Sequence, residues 1–450
     1  MTVRRVVTVI GIALIVALAV VLMRWGMALS PIKAGLIAAP PDAAPAEERT
    51  TIQYMIWGRE NEVRQEREKL EEFVARNPDI QVELVQAGGT NYQVKLATML
   101  AGGVAPDVFM VHEAMFPTLA ENKLILPLDE RVGSNPDVNL DDYFQTVVEL
   151  GRYEGTLYQM PVGFNTVVLY YNKDMFDEAG LSYPSEGWGW DDMLRTAKAL
   201  TITEGDRTVQ YGVMGVGPWL TYLMMMWQNG GEVFDEQDHL VIGKPEYIDE
   251  NTEALQFCAD LQLEWEVHPS EAALETLPAN PFVAERVAMN LSGTWLNAQI
   301  RGRSEFRWGV AHPPEREQKA SLVFGGSPVI YRRTEHPAEA WRLLKAMIGE
   351  EWQRRIAREA RNLPAKKSVA EGLRIPGIPE HIDLSPIFEV VTYARPQPVG
   401  PQIAEWMEQP ISDLRDRVLL GSVEGEEIRE QLERMQERFD LNCPYCSTPR

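Results

Sequence analysis

The segment from Glu154 to Thr201 constrains the fold most, because it reads as a polar turn, a buried strand, a second turn and an amphipathic helix. Glu154 and Gly155 open a turn and apolar character begins at Leu157. Met160 and Pro161 then interrupt any regular ladder, since proline has no N–H to donate. The chain must change direction there. Val167, Val168, Leu169, Tyr170 and Tyr171 form an unbroken β-branched and aromatic run bounded by Asn172, which suits a strand covered on both faces. Such an order makes the wall and hinge of a ligand cleft.

Upstream, Thr51–Trp57 alternates as a first strand, and Gly58 breaks it where a helix must start. Val63, Leu70, Phe73 and Val74 lie on one face of a strongly charged segment ending before Pro78, which reads as a surface helix. Ile80, Val82 and Leu84 alternate as a second strand. Strand, helix, strand with a short return predicts a parallel pair with a right-handed crossover. A helix over Val94–Leu100 and a third strand over Val108–Val111 extend this into an α/β lobe.

Several segments resemble one family. EGTLYQMPVGFNTVVLYYNKDMFDEAGL followed by GWGWDDMLRTAKALT is similar to the central signature of the extracellular solute-binding proteins of sugar-type ABC importers, the maltose-binding-protein-like family 1. NYQVKLATMLAGGVAPDVFMVHE, NPFVAERVAMNLSGTWLNAQI, FRWGVAHPP, FGGSPVIYRRTEHPAEAWRLLKAMI and NLPAKKSV resemble further blocks in the family's order, together covering most of residues 51 to 440. The resemblance implies a two-lobed type II periplasmic-binding-protein fold, α/β in class, with a cleft between discontinuous lobes. The chain would cross between lobes near Pro161–Phe164, Gly309–Pro313 and Arg361–Pro364. Lobe 1 would then hold residues 50–162 and 311–360, and lobe 2 residues 163–310 and 361–440, with a tail at 441–450. A helical stretch is expected from Pro410 to Phe439.

With 450 residues, 45 % of them hydrophobic and 24 % charged, the chain is long enough for two lobes of ordinary size. The net charge of -23 argues against a nucleic-acid partner, because phosphate binding needs a basic face. Val6–Met23 carries no charge, with Arg4 and Arg5 before it and Arg24 after it. As a helix this run spans roughly 27 Å, near the hydrocarbon thickness. It reads as a signal anchor, or a signal peptide, over residues 1–25, with the folded part on the periplasmic or extracellular face. Residues 26–49, rich in Pro and Ala, read as a tether. The first cysteine is Cys258, so no lipid-anchor cysteine follows the apolar run.

Candidate ligand contacts come from residue types that suit sugars, which offer apolar C–H faces and hydroxyl edges. Trp57, Trp219 and Trp295 sit beside glycine-containing turns rather than inside apolar runs. Packing accounts for most single tryptophans, and the family resemblance shifts these three toward ligand contact. His112 and Glu113 end the third strand, at the carboxyl edge where open α/β sheets bind ligands. Asn165 sits in the first crossing, where the resemblance implies a ligand-facing polar residue. Gly325, Gly326 and Ser327 offer close backbone approach to a ligand, or form a plain tight turn.

Enzyme signatures are poor. G-x-S-x-G, H-E-x-x-H and the P-loop motif are absent, and the six histidines are scattered singly. No cofactor or metal is expected. Cys443 and Cys446 form a C-x-x-C in a polar tail, which suits a local disulfide better than redox chemistry. Cys258 reads as packing.

The sequence therefore reads as a monomer that captures a sugar or polyol between lobes and hands it to ABC permease subunits. The rival reading is a membrane-anchored carbohydrate-active enzyme or sensor ectodomain with the same cleft. Because Pro31 follows the only nearby small-x-small site, Ala28-Leu29-Ser30, most of the mature protein is expected to keep Met1–Met23. Mass spectrometry finding a mature amino terminus between Ser30 and Glu48 would overturn that expectation.

Overall fold

The structure, a computed structural model, describes residues 33–38, 45, 48–88, 91–217, 220–302 and 305–442. The apolar N-terminal run and the Cys443–Cys446 pair lie outside these. Among the described residues no helix is long and apolar enough to cross a membrane.

The strands in chain order are β1 (Lys33–Leu36), β2 (Thr50–Ile56), β3 (Ile80–Gln86), β4 (Val108–Val111), β5 (Arg152–Tyr153), β6 (Thr156–Leu157) and β7 (Asn165–Asn172). They continue as β8 (Ile202–Glu204), β9 (Arg207–Met214), β10 (Val287–Gly293), β11 (Trp308–Ala311), β12 (Ser321–Phe324), β13 (Ser327–Ile330) and β14 (Ala394–Pro396). A first sheet has the order β1-β3-β2-β4-β13, and a second the order β14-β12-β7-β10-β9-β8 with β11 also paired to β7. Each sheet is the core of one lobe.

In the first lobe β2 pairs in parallel with both β3 and β4, as the strand-helix-strand pattern requires. Ile52, Tyr54 and Ile56 face the Glu60–Arg76 and Pro337–Ile348 helices, while Met55 faces the other way, toward the Asn91–Gly102 helix. β1 corrects the expected tether: Lys33–Leu36 runs antiparallel to β3, and Ile37 behind it is buried. This stretch of the Pro/Ala-rich segment is therefore the edge strand of the first sheet.

In the second lobe β7 is the central strand. Val168 and Tyr170 enter one core, Val167, Leu169 and Tyr171 the other, and all five are buried. An uninterrupted apolar run is the pattern such a strand needs. The C-terminal helices Ser412–Leu419 and Glu426–Asn442 pack onto the Ile248–Leu263 helix of this lobe, separated by Gly421 and Gly425, both at positive φ.

The chain passes between sheets where β12 ends and β13 begins, with only Gly325 and Gly326 between them. This corrects the expected crossing at Gly309–Pro313. Gly309 lies within β11 opposite Tyr171, so residues 311–324 belong with the second sheet. Pro313 and Pro314 only end that strand. The segments Pro161–Phe164 and Arg361–Pro364 run side by side: Phe164 N–H donates to Leu363 C=O at 3.0 Å and Leu363 N–H to Phe164 C=O at 2.8 Å.

At this junction Gly163 has no room for a side chain, because a Cβ would come within 2.9 Å of the Leu363 carbonyl oxygen. Gly163→Ala is therefore expected to destabilise the protein by about 1–3 kcal/mol. Gly133→Ala, where a Cβ meets nothing within 4 Å, serves as the control. Equal urea midpoints for the two variants would refute the close approach.

Candidate functional site

Two parallel strands of the first sheet end at the junction and set an aromatic platform there. β2 and β4 are in register at Met55 and Phe109, so the residues just past their carboxyl ends come together. Trp57 and His112 stack with ring centroids 3.9 Å apart and planes 14° off parallel, and Tyr92 meets Trp57 edge-on at 5.1 Å. Gly326 lets the interlobe strand pass this ring: a Cβ there would sit 2.9 Å from the indole. Burial lowers the His112 pKa, against a smaller upward pull from the Glu113 carboxylate, so the stacked imidazole is neutral at pH 7. Glu113 follows directly, and its Oε2 is buried without a hydrogen-bond partner among the described residues.

The second lobe supplies the facing wall. Trp295 lies in a one-turn 3₁₀ helix, Thr294–Leu296, at the end of β10, and its ring covers Gly293, where a Cβ would come within 2.1 Å of it. Phe324 at the end of β12 is 6.1 Å from Trp295, centroid to centroid. Asn165 stands at the floor. Its Oδ1 accepts from the Thr294 hydroxyl at 2.9 Å, and its Nδ2 donates to Asn362 Oδ1 at 2.7 Å, tying β7 and β10 to the 361–364 segment.

A third, charged face comes from the Glu60–Arg76 helix. Gly58 has φ 141, a conformation that glycine adopts easily, and turns the chain from β2 into this helix. The Glu62 carboxylate accepts from the Arg59 N–H at 2.8 Å, closing the helix start. Glu62, Glu66 and Lys69 follow at spacings of four and three, so they share one face. Lys69 is buried, with Nζ 2.9 Å from Glu66 and 3.2 Å from Glu359 of the Glu350–Glu359 helix. Burial lowers its pKa, but the two carboxylates more than reverse this and leave it above the ordinary 10.5. Glu359 is raised, by burial first, with Lys69 opposing. Tyr54 O–H donates to Glu66 at 3.1 Å, and Arg361 is 3.3 Å from Glu62.

These three faces enclose one cavity of about 390 Å³. Of the residues singled out in the sequence, Trp57, His112, Glu113, Asn165, Trp295, Gly325 and Gly326 line it. Ser327 does not: as the first residue of β13 it is buried opposite Val111, behind the cavity wall. Trp219 lies outside the described residues. Missed were Tyr54, Glu62, Glu66, Lys69, Glu359, Arg361 and Asn362, all on the cavity wall. A signal for three of them existed in the spacing of Glu62, Glu66 and Lys69 beside an apolar stripe, although a solvated face has the same pattern.

The buried lysine generates a prediction. Removing one partner from a buried ion cluster leaves uncompensated charge, so Lys69→Met is expected to cost on the order of 3 kcal/mol. Adding Glu66→Gln and Glu359→Gln should recover part of that loss, as read by urea denaturation at pH 7. A raised lysine pKa gives stability that is fully present below the unfolded value of 10.5, so the loss should persist from neutral to mildly alkaline pH and shrink only in stronger alkali. A Lys69→Met variant as stable as the parent would show that the cluster contributes nothing net.

The sequence profile of bacterial extracellular solute-binding proteins matches residues 58–354. A binding protein of Brucella abortus is 22% identical over 306 residues, 66% of this chain and 72% of that protein. The sn-glycerol-3-phosphate-binding periplasmic protein of Salmonella paratyphi A is 32% identical over 128 residues, 27% of this chain and 28% of its own length. Among solved structures, an ABC substrate-binding protein of Listeria monocytogenes in complex with cycloalternan superposes with TM-score 0.75 at 26% identity, covering 87% of this chain and 98% of that one. With two α/β lobes joined at one junction and a cavity between them, and with most of its length matched by the profile, the chain belongs to the bacterial extracellular solute-binding protein family.

Proposed function

We propose that this chain is the substrate-binding component of an ABC importer, that it holds a carbohydrate in the cavity between its lobes, and that the ligand-bound form is what a membrane permease receives. One observation carries the reading: aromatic faces from opposite sheets, Trp57 with His112 and Trp295 with Phe324, line one cavity together with amide and carboxylate groups. Aromatic faces suit the C–H faces of a sugar, and amides and carboxylates suit its hydroxyl edges. The cycloalternan bound by the Listeria neighbour is an additional support for a saccharide, while the glycerol phosphate of the Salmonella relative names a second class of polyol.

Trp57, His112, Glu113, Asn165, Trp295, Gly325 and Gly326 are the proposed ligand contacts, with Lys69, Glu66 and Glu359 holding the charged wall in shape. Closure would turn the lobes about the junction of 161–164, 325–326 and 361–364, since a few residues suffice to absorb such a rotation. The reading includes a monomer held at the outer face of the cytoplasmic membrane, supported by the uncharged Val6–Met23 run and the Arg24 after it.

The test is calorimetric titration of the protein with a panel of neutral mono- and oligosaccharides. Binding of at least one member is expected, and Trp295→Ala should weaken it by about 1 kcal/mol or more, a larger effect than its effect on stability. Absence of heat across the whole panel would refute the carbohydrate reading. Unchanged affinity with a sharply lower melting temperature would make Trp295 a packing residue only.

A further inference from the structure

The charges lining the cavity are unequal, and the cations among them are already engaged. Glu62, Glu66, Glu113 and Glu359 stand against Lys69 and Arg361. Lys69 is held between Glu66 and Glu359, and Arg361 faces Glu62 at 3.3 Å. His112, lowered by burial, adds no charge at pH 7. The positive end of the Glu60–Arg76 helix, which would otherwise attract an anion, is occupied by its own Glu62, which accepts from the Arg59 N–H. Glu113 Oε2 is the group left over, a buried acceptor with no donor among the described residues.

From this arrangement we infer that the cavity excludes anionic ligands and takes a donor-rich sugar, either uncharged or carrying a protonated amine, with Glu113 as the residue that reads the ligand's donor. The inference rests on the carbohydrate reading above and narrows it. A phosphate or carboxylate entering the cavity would have to compete with Glu66 and Glu359 for Lys69, or with Glu62 for Arg361, and so leave half-buried carboxylates without their cation. It would also stand near Glu113 in a region of reduced dielectric, where like charges repel more strongly than in water. A hydroxyl or ammonium group meets neither cost, and by donating to the Glu113 carboxylate it would satisfy the buried, unpartnered oxygen. The arginines of the adjoining outer groove, among them Arg354 and Arg355, do not line the cavity and are paired with Glu350, Glu68 and Glu72.

The experiment is isothermal titration of the full-length protein, kept in mild detergent, at pH 7 and low salt. Probes are glucose, mannose, arabinose, maltose, mannobiose and arabinobiose, then for each sugar that binds its phosphate ester, its uronic acid and its amino analogue, together with glycerol 3-phosphate and inorganic phosphate. The neutral or amino form is expected to bind at least about tenfold more tightly than its phosphate ester. Raising the salt should narrow that gap by screening the repulsion, while the neutral sugar's own affinity stays constant. Glu113→Gln should also narrow the gap, and a preference for the amino analogue that disappears in this variant assigns the amine to Glu113. Equal binding of neutral and amino forms, both above the phosphate, supports recognition through hydroxyl donors. A phosphate ester or glycerol 3-phosphate binding as tightly as the neutral sugar would overturn the inference while leaving the carbohydrate or polyol reading intact. No binding by any probe would overturn the carbohydrate reading and this inference with it.

Discussion

The reciprocal pair of backbone hydrogen bonds between Phe164 and Leu363 is the contact on which the rest of the molecule depends. It brings two chain segments that are about 200 residues apart in sequence into one antiparallel bridge. Gly163 and Gly325 allow the third segment to lie against them, since a Cβ on Gly325 would stand 3.2 Å from the Gly163 carbonyl oxygen. Three connections thus meet at one place. That fixes the amino end of β7, the end of β12 and the start of β13 relative to the carboxyl ends of β2 and β4, and the cavity is the space they leave.

Aromatic and ionic walls contribute differently. Trp57 and His112, ordered by stacking, and Trp295 and Phe324, in a tilted ring contact, present preformed apolar area, so a ligand meeting them loses little side-chain freedom at the protein. Lys69 with Glu66 and Glu359 is a weaker source of stability than its short distances suggest, because desolvating three charges offsets most of their attraction. Its effect is geometric. By holding the Glu60–Arg76 and Glu350–Glu359 helices together across the cavity wall, it fixes which groups remain turned toward a ligand. Tyr54, its titration raised well above the ordinary range by burial and then by Glu66, keeps its proton and so remains a donor to that carboxylate.

Elements with a strong local pattern were legible in the sequence. The alternation of Ile80, Val82 and Leu84, the unbroken run of β7 and the glycine after Trp57 each carry their own physical signal, and the structure places a strand, a doubly buried strand and a helix entry there. Less legible was what depends on distant partners. The Trp308–Ala311 run looks the same whether it crosses between lobes or pairs with β7, and only the pairing partner decides. Gly325 and Gly326 read as a close approach to a ligand or as a plain tight turn, and only the pairing of β12 and β13 with different sheets makes them the interlobe passage. Lys33–Leu36 became a strand because β3 had an open edge, which no feature of its own residues announces. Lys69 has the sequence context of a solvated surface charge, and its burial follows from Glu359, a residue of another helix.

The buried, unpartnered oxygen of Glu113 would link binding to closure. In this structure Oε2 is already shielded and has no partner among the described residues, a cost that water entering the cavity would relieve and that approach of the walls would fix in place. In a protein that closes about the junction, the empty closed form would therefore be disfavoured by this group, and by any other acceptor in the cavity that loses its water. A ligand that donates to Glu113 removes that cost only in the closed form, where water cannot serve instead. The ligand then has a differential affinity for the two states, which is the sole means by which it can shift their populations. Placed at the end of β4, beside the stacked Trp57 and His112 and within the cavity that Trp295 also lines, Glu113 would be the point where recognition of a donor and the choice of conformation become one equilibrium.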